Sequence, residues 1–246
     1  MTADFSGIKE KLKRADENIL NLESEVSGFF QECKYPVLPK IQDKEHAEAV
    51  EYFKKLTIPL RFSVLSGEIV HHLRSCLDHI IWEFSNDAVR TSKDAKFLEF
   101  PILKEGPTAE NKFTSYDRKI QGVTNVAALK LIDKFQPYHR SDPVIDPLYL
   151  INNVDIIDKH RELVITHSTG RMEGPLPLMT EMSAYLSKRL PMSPELKGQF
   201  DQYGQITPQI SFKDLRGREA ESIIPTLTEL SSYVALVVDE FDNFII

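Results

Sequence analysis

The stretch from Phe62 to Phe84, FSVLSGEIVHHLRSCLDHIIWEF, places Glu68, His71, His72, Arg74, Asp78 and His79 within about three turns of one helix. Three of the chain's seven histidines lie there. An imidazole titrates near neutral pH and can pass protons, and a guanidinium can hold a phosphate or a carboxylate. Two arrangements suit such a set: a site that moves protons beside a bound anion, and a buried polar network that pins neighbouring helices together. On a helical wheel Phe62, Leu65, Ile69, Leu73, Leu77, Ile80 and Phe84 share one apolar face. Glu68, His71, His72, Ser75, Asp78 and His79 fall opposite it, in an arc of about 120°. Arg74 lies just outside one edge of that arc. Trp82 is on the polar side, where a partner helix or a second subunit would give it a contact.

A second polar cluster is NNVDIIDKHREL, residues 152–163. Asp155, Asp158, Lys159 and Glu162 share a face that reads as solvated. Asn153 and His160 fall among Ile156, Ile157, Leu163 and Val164, so burial obliges them to find hydrogen-bond partners. The two helices are expected to pack with Asn153 and His160 approaching Arg74, Asp78 or His79. A bond from His160 to Asn153 or to a backbone carbonyl is the simpler alternative.

Arg74-Ser-Cys-Leu-Asp-His79 is R-x-x-x-x-H on a helix, and it resembles the signature of HEPN-fold ribonucleases. HHLRSCLDHIIW and the later NNVDIIDKHR are also similar to a group of uncharacterised bacterial proteins with HNLRSALDH-type helices. The ribonuclease family consists of small helical bundles, many from bacterial toxin–antitoxin and phage-defence systems. The resemblance implies metal-independent RNA cleavage leaving a 2′,3′-cyclic phosphate, with RNA as the partner. Arg74 would hold the scissile phosphate, His79 would transfer the proton, and Asp78 or His160 would orient them. His71, His72, Ser75 and Asn153 stand behind these as secondary candidates. The resemblance also implies a homodimer, because in that family two motifs meet across the interface. Here Ser75 follows the arginine, where that family carries Asn, Asp or His, and most of the chain follows the motif.

Other readings of the same residues stand beside it. Arg74 and Asp78 at i,i+4 make an ion pair that braces a helix. Glu68-x-x-His71 is the carboxylate–imidazole pair of di-iron bundles, but no second Glu-x-x-His accompanies it. His72, His79 and His160 could hold a single ion. The expectation is nevertheless no metal and no cofactor. The alternative to the nuclease is a non-enzymatic helical module that binds another protein, with the histidine helix as a structural network.

These residues need helices to carry them. Residues 3–34 read as an amphipathic helix ended by YPVLP, and a second helical zone begins near Asp43. Pro59 interrupts that zone, which then runs on from Leu60 to about Val89. Within 91–161, FLEFPI reads as a short strand or extended crossing. TNVAALKLIDKFQPY reads as a helix capped by Thr or Asn, and Pro147 opens the next one. LVITHS and PQISFKD read as two strands that pair, with a proline-containing excursion over 170–198 between them. A last helix spans about 216–244 with Pro225 in its first half. The expected fold is mainly α, a single domain over 1–246: long helices to residue 90, shorter helices and loops over 91–161, a small antiparallel β insertion over 162–215, and the C-terminal helix.

Composition agrees with a globular chain, at 41% hydrophobic and 27% charged among 246 residues. The net charge of −7 argues against a general nucleic-acid coat. No apolar run reaches the roughly 18 residues of a membrane span. The charged start MTADFSGIKEKLKR and the two cysteines point to the cytoplasm.

Overall fold

Pro59 sets where the central helix begins. Its ring holds φ at −59° and its ψ is extended at 128°, so helical geometry starts one residue later, at Leu60. In the computed structural model, residues 3–37, 44–106, 115–160, 166–173, 205–212 and 221–243, with Pro194 and Leu215, are described. Their helices are α1 (Ser6–Gln31), α2 (His46–Lys55), α3 (Leu60–Phe84), α4 (Asp87–Arg90), α5 (Ser115–Ile120), α6 (Val126–Lys134), α7 (Pro147–His160) and α8 (Ile223–Asp242). Between α7 and α8 lie β1 (Thr166–Glu173) and β2 (Gln205–Phe212). The chain is thus mainly helical, with a small antiparallel β element before the last helix.

α3 is the hub, packed by α1, α7 and α8, while α1 and α8 also pack on each other. Its buried surface is therefore wider than one amphipathic face. Ile69, Leu73, Leu77 and Ile80 are buried as the periodicity predicts, but so are Ser63, Ser66, Gly67, Val70, Arg74, Cys76 and Ile81. Leu65 and Phe84 are only half-buried. The small residues are what permit crowding: a Cβ on Gly67 would sit 2.5 Å from Asp158 Oδ1 of α7. On the other side, Cys76 Sγ donates to the Ile8 carbonyl at 3.5 Å, and burial pushes its thiol up to about 12. Ser231 of α8 donates to Asp16 of α1 at 2.6 Å, and Lys9 meets Asp242 at 2.5 Å.

The smaller elements follow local rules. Asn125 caps α6 by accepting from Ala127 and Ala128 N–H. α8 begins at Ile223, several residues later than the pattern suggested. Pro225 accordingly sits in its first turn, where a missing N–H costs nothing. β1 pairs β2 antiparallel from Thr166↔Phe212 to Glu173↔Gln205. Gly170 to Glu173 thus belong to a strand, and the expected excursion lies outside the described residues apart from Pro194.

Phe97 closes a short 3-10 turn, and from Leu98 the segment is extended, but among the described residues no strand pairs with it. Pro101 has no N–H to offer a ladder, and side chains satisfy the segment instead. Phe100 N–H donates to Asp78 Oδ1 at 2.9 Å. The Phe100 carbonyl accepts from Arg74 Nη2 at 2.9 Å. Buried Gln136 donates to the Pro101 carbonyl at 2.8 Å and accepts from Leu103 N–H at 3.1 Å. These three side chains, with one backbone bond from Glu99 N–H to the Lys119 carbonyl at 3.3 Å, thus stand in for a neighbouring strand.

Two tests follow from this packing. Gly67→Ala should cost about 1–3 kcal/mol in urea unfolding, and adding Asp158→Ala should recover much of it, because the obstructing carboxylate is gone. A thiol titration of the native protein should label half-buried Cys33 readily and Cys76 only after denaturant is added.

Candidate functional site

Arg74 is enclosed, with 4% of its side chain exposed. Its Nη2 donates to the Phe100 carbonyl and lies 3.6 Å from Glu99 Oε2. Its Nη1 is 2.9 Å from Asp78 Oδ1, an ion pair set off the hydrogen-bond direction, so that nitrogen donates to no described group. Glu99 in turn pairs with Lys119 of α5 at 2.6 Å. The guanidinium therefore joins α3 to the extended segment and, through Glu99, to α5.

Asp78 is half-buried between Arg74 and the Phe100 amide. Burial pushes its carboxyl above the usual carboxylate range; Arg74 and the Phe100 N–H pull the other way and only moderate the rise. His79 is exposed, about 140° round the helix from Arg74. The two residues of the R-x-x-x-x-H pattern thus have different surroundings, one facing the protein interior and the other facing solvent. Ser75 is half-buried between them.

His71 and His72 part company too. His71 is exposed and reaches α7, its Nδ1 3.3 Å from Asp155 Oδ1. His72 is half-buried, with Nδ1 sealed from solvent and without a hydrogen-bond partner among the described residues. Burial, with Lys11 of α1 beside it, holds the His72 imidazole below its ordinary value of 6.5.

The helix pair meets as expected, but through other residues. Asp155, read from the sequence as solvated, is 6% exposed. It takes His71 on one oxygen and Lys159 Nζ, at 2.7 Å, on the other. Ile156 is on the outside, at 39% exposed. Gly67 accounts for the reversal, because the missing side chain lets the carboxylate face of α7 lie against α3. Asn153 is half-buried on α7. His160 closes that helix, and its side chain lies outside the described residues. Trp82 is 40% exposed and finds its neighbour within its own chain: the Arg90 guanidinium lies 5.8 Å from its ring centre.

Glu99, Phe100, Lys119 and Gln136 complete the network, and none stood out in the sequence. Gln136, two residues past α6 and directly before Pro137, was the available signal. Among the described residues no group of three or more His, Cys, Asp or Glu side chains is placed to hold a metal ion. No helix there is long and apolar enough to cross a membrane. No protein-family model, curated protein or solved structure matches the chain.

Replacing Arg74 by Met leaves Asp78 and Glu99 crowded without their cation, and should cost about 3–5 kcal/mol in chemical denaturation. His72 resists protonation when folded, so its contribution to stability is present above pH 6.5 and is lost as pH falls through the depressed folded value. Unfolding midpoints measured from pH 7 to pH 5 should fall less steeply in His72→Gln than in the native protein.

Proposed function

We propose that this chain is a helical protein-interaction module, and that the polar residues of α3 are principally a brace rather than the centre of an RNA endonuclease. The observation that carries this reading is the enclosure of Arg74. To grip a phosphate, the guanidinium would have to leave the Phe100 carbonyl, Asp78 and Glu99. Withdrawing a buried charge from its partners is costly. Among the described residues, exposed His79 has no phosphate-holding arginine beside it. What α3 offers outward is an open face with Val64, Glu68, His71, His79 and Trp82 exposed. A half-exposed Trp with an Arg stacked near it is the kind of residue that anchors protein interfaces. The partner class is therefore protein, a second copy included. The absence of any matching family or fold leaves the reading to rest on the site alone.

The deciding assay incubates purified protein with a mixed RNA pool in excess EDTA, beside His79→Ala. No cleavage is expected from either, and the exposed His79→Ala change should shift the melting temperature by no more than about 2 °C. RNA fragments with cyclic-phosphate ends, present with the native protein and missing with His79→Ala, would overturn the module reading and restore the nuclease.

A further inference from the structure

The α3–α7 contact contains an arrangement that bracing alone does not require. Asp155 is nearly sealed, with 7% of its side chain exposed, whereas the His71 ring that it touches is 55% exposed. An ionised carboxylate can only accept a hydrogen bond, so at 3.3 Å the proton between them belongs to Nδ1 of the neutral imidazole. The lone pair is then on Nε2, turned away from Asp155. Lys159, on the other carboxylate oxygen at 2.7 Å, offsets the charge that burial would otherwise isolate. A fixed tautomer, a carboxylate behind it and an accessible nitrogen in front are the ingredients of an activated imidazole. The other two histidines of α3 lack them: His72 has its Nδ1 sealed, and His79 has no carboxylate bonded to it among the described residues.

The geometry points to His71 as the nucleophilic imidazole of this surface, a covalent modification site that takes an acyl group on Nε2 from neutral, activated acyl donors. The charge around it selects the donor. Glu68 lies one turn before it on α3, and Asp158 of α7 sits against Gly67, one turn before His71 on the same side. Lys159 is already paired with Asp155, and Lys11 lies toward His72. Among the described residues, carboxylates thus outnumber free cations there, and an anionic donor such as an acyl phosphate is repelled. In the step, the Nε2 lone pair forms a bond to the carbonyl carbon. The bond from that carbon to the leaving oxygen breaks, and its electrons depart with that oxygen. The Nδ1 proton is lost by way of Asp155 to water, the departing oxygen takes a proton from water, and a neutral acyl-imidazole results. The inference does not depend on the interaction-module reading.

Diethyl pyrocarbonate, a neutral acyl donor, tests it on the full chain, with modification followed site by site by mass spectrometry. His71 should be carbethoxylated about tenfold faster than His79, the other exposed histidine of α3, the lower end of what a carboxylate contributes behind a metal-bound imidazole. Equal rates, or a lead for His79, overturn the proposal. Asp155→Asn should abolish the advantage if it folds; retention of the tenfold advantage in a folded variant also overturns it. A measurement on the native protein decides the matter if the variant does not fold. Long-range proton–nitrogen correlation spectra should show His71 protonated on Nδ1, and protonation on Nε2 instead would sink the idea.

Discussion

A permanently charged guanidinium inside a protein must be surrounded by groups that accept its protons and balance its charge. Arg74 imposes that requirement on the centre of this molecule. It lies on the helix that three others pack against, and its side chain is turned inward rather than toward solvent. A carbonyl, a carboxylate on its own helix and a second carboxylate on a distant segment must all be in place around it. Meeting these conditions fixes residues 98–103 against α3, and Lys119 then anchors the far carboxylate to α5. Such a cluster adds little net stability over an apolar core of equal volume; what it specifies is position.

The same logic extends along α3 toward α7. Gly67 removes a side chain at the point of closest approach, and the carboxylates of α7 settle there. His71, Asp155 and Lys159 form one group, and Arg74, Asp78, Glu99 and Lys119 the next, with the charge of Lys159 still felt at Asp78. The helix therefore has three environments: an apolar side to α1 and α8, an ionic side to α7 and the extended segment, and a narrow open face. One polar arc in the sequence contributes to both the second and the third.

Much of the architecture was legible because it rests on periodicity and local chemistry. The helices α1, α3, α6 and α7, the breaks at Pro59 and Pro147 and the Asn125 cap follow from spacing and ring constraints. The expected strand pair is present too, but β1 runs on past LVITHS to Glu173, and residues 163–165 lie outside the described residues. The site was less legible, for reasons particular to its residues. A helical wheel treats a helix as having one buried face, and α3 has two, so Arg74 went from arc edge to interior. Asp155 was assigned to solvent because its neighbours are charged, and nothing local announces that a glycine 88 positions earlier will receive that face. The side-chain partners of FLEFPI come from α3 and from Gln136, just beyond α6, and long-range side-chain-to-backbone bonds leave no period to detect.

The contact between α1 and α8 has a consequence for the order in which the molecule can be made. Asp16 and Ser231, and Lys9 and Asp242, are joined across more than two hundred residues of chain. During synthesis α1 and α3 emerge early and can find each other, but the groove they form stays uncovered until residues 223–242 leave the ribosome. For most of translation, then, Phe84 and Phe100 await Phe241, the ring they pack against in the finished core. Through that interval the nascent chain carries an apolar surface that only the last helix can cover.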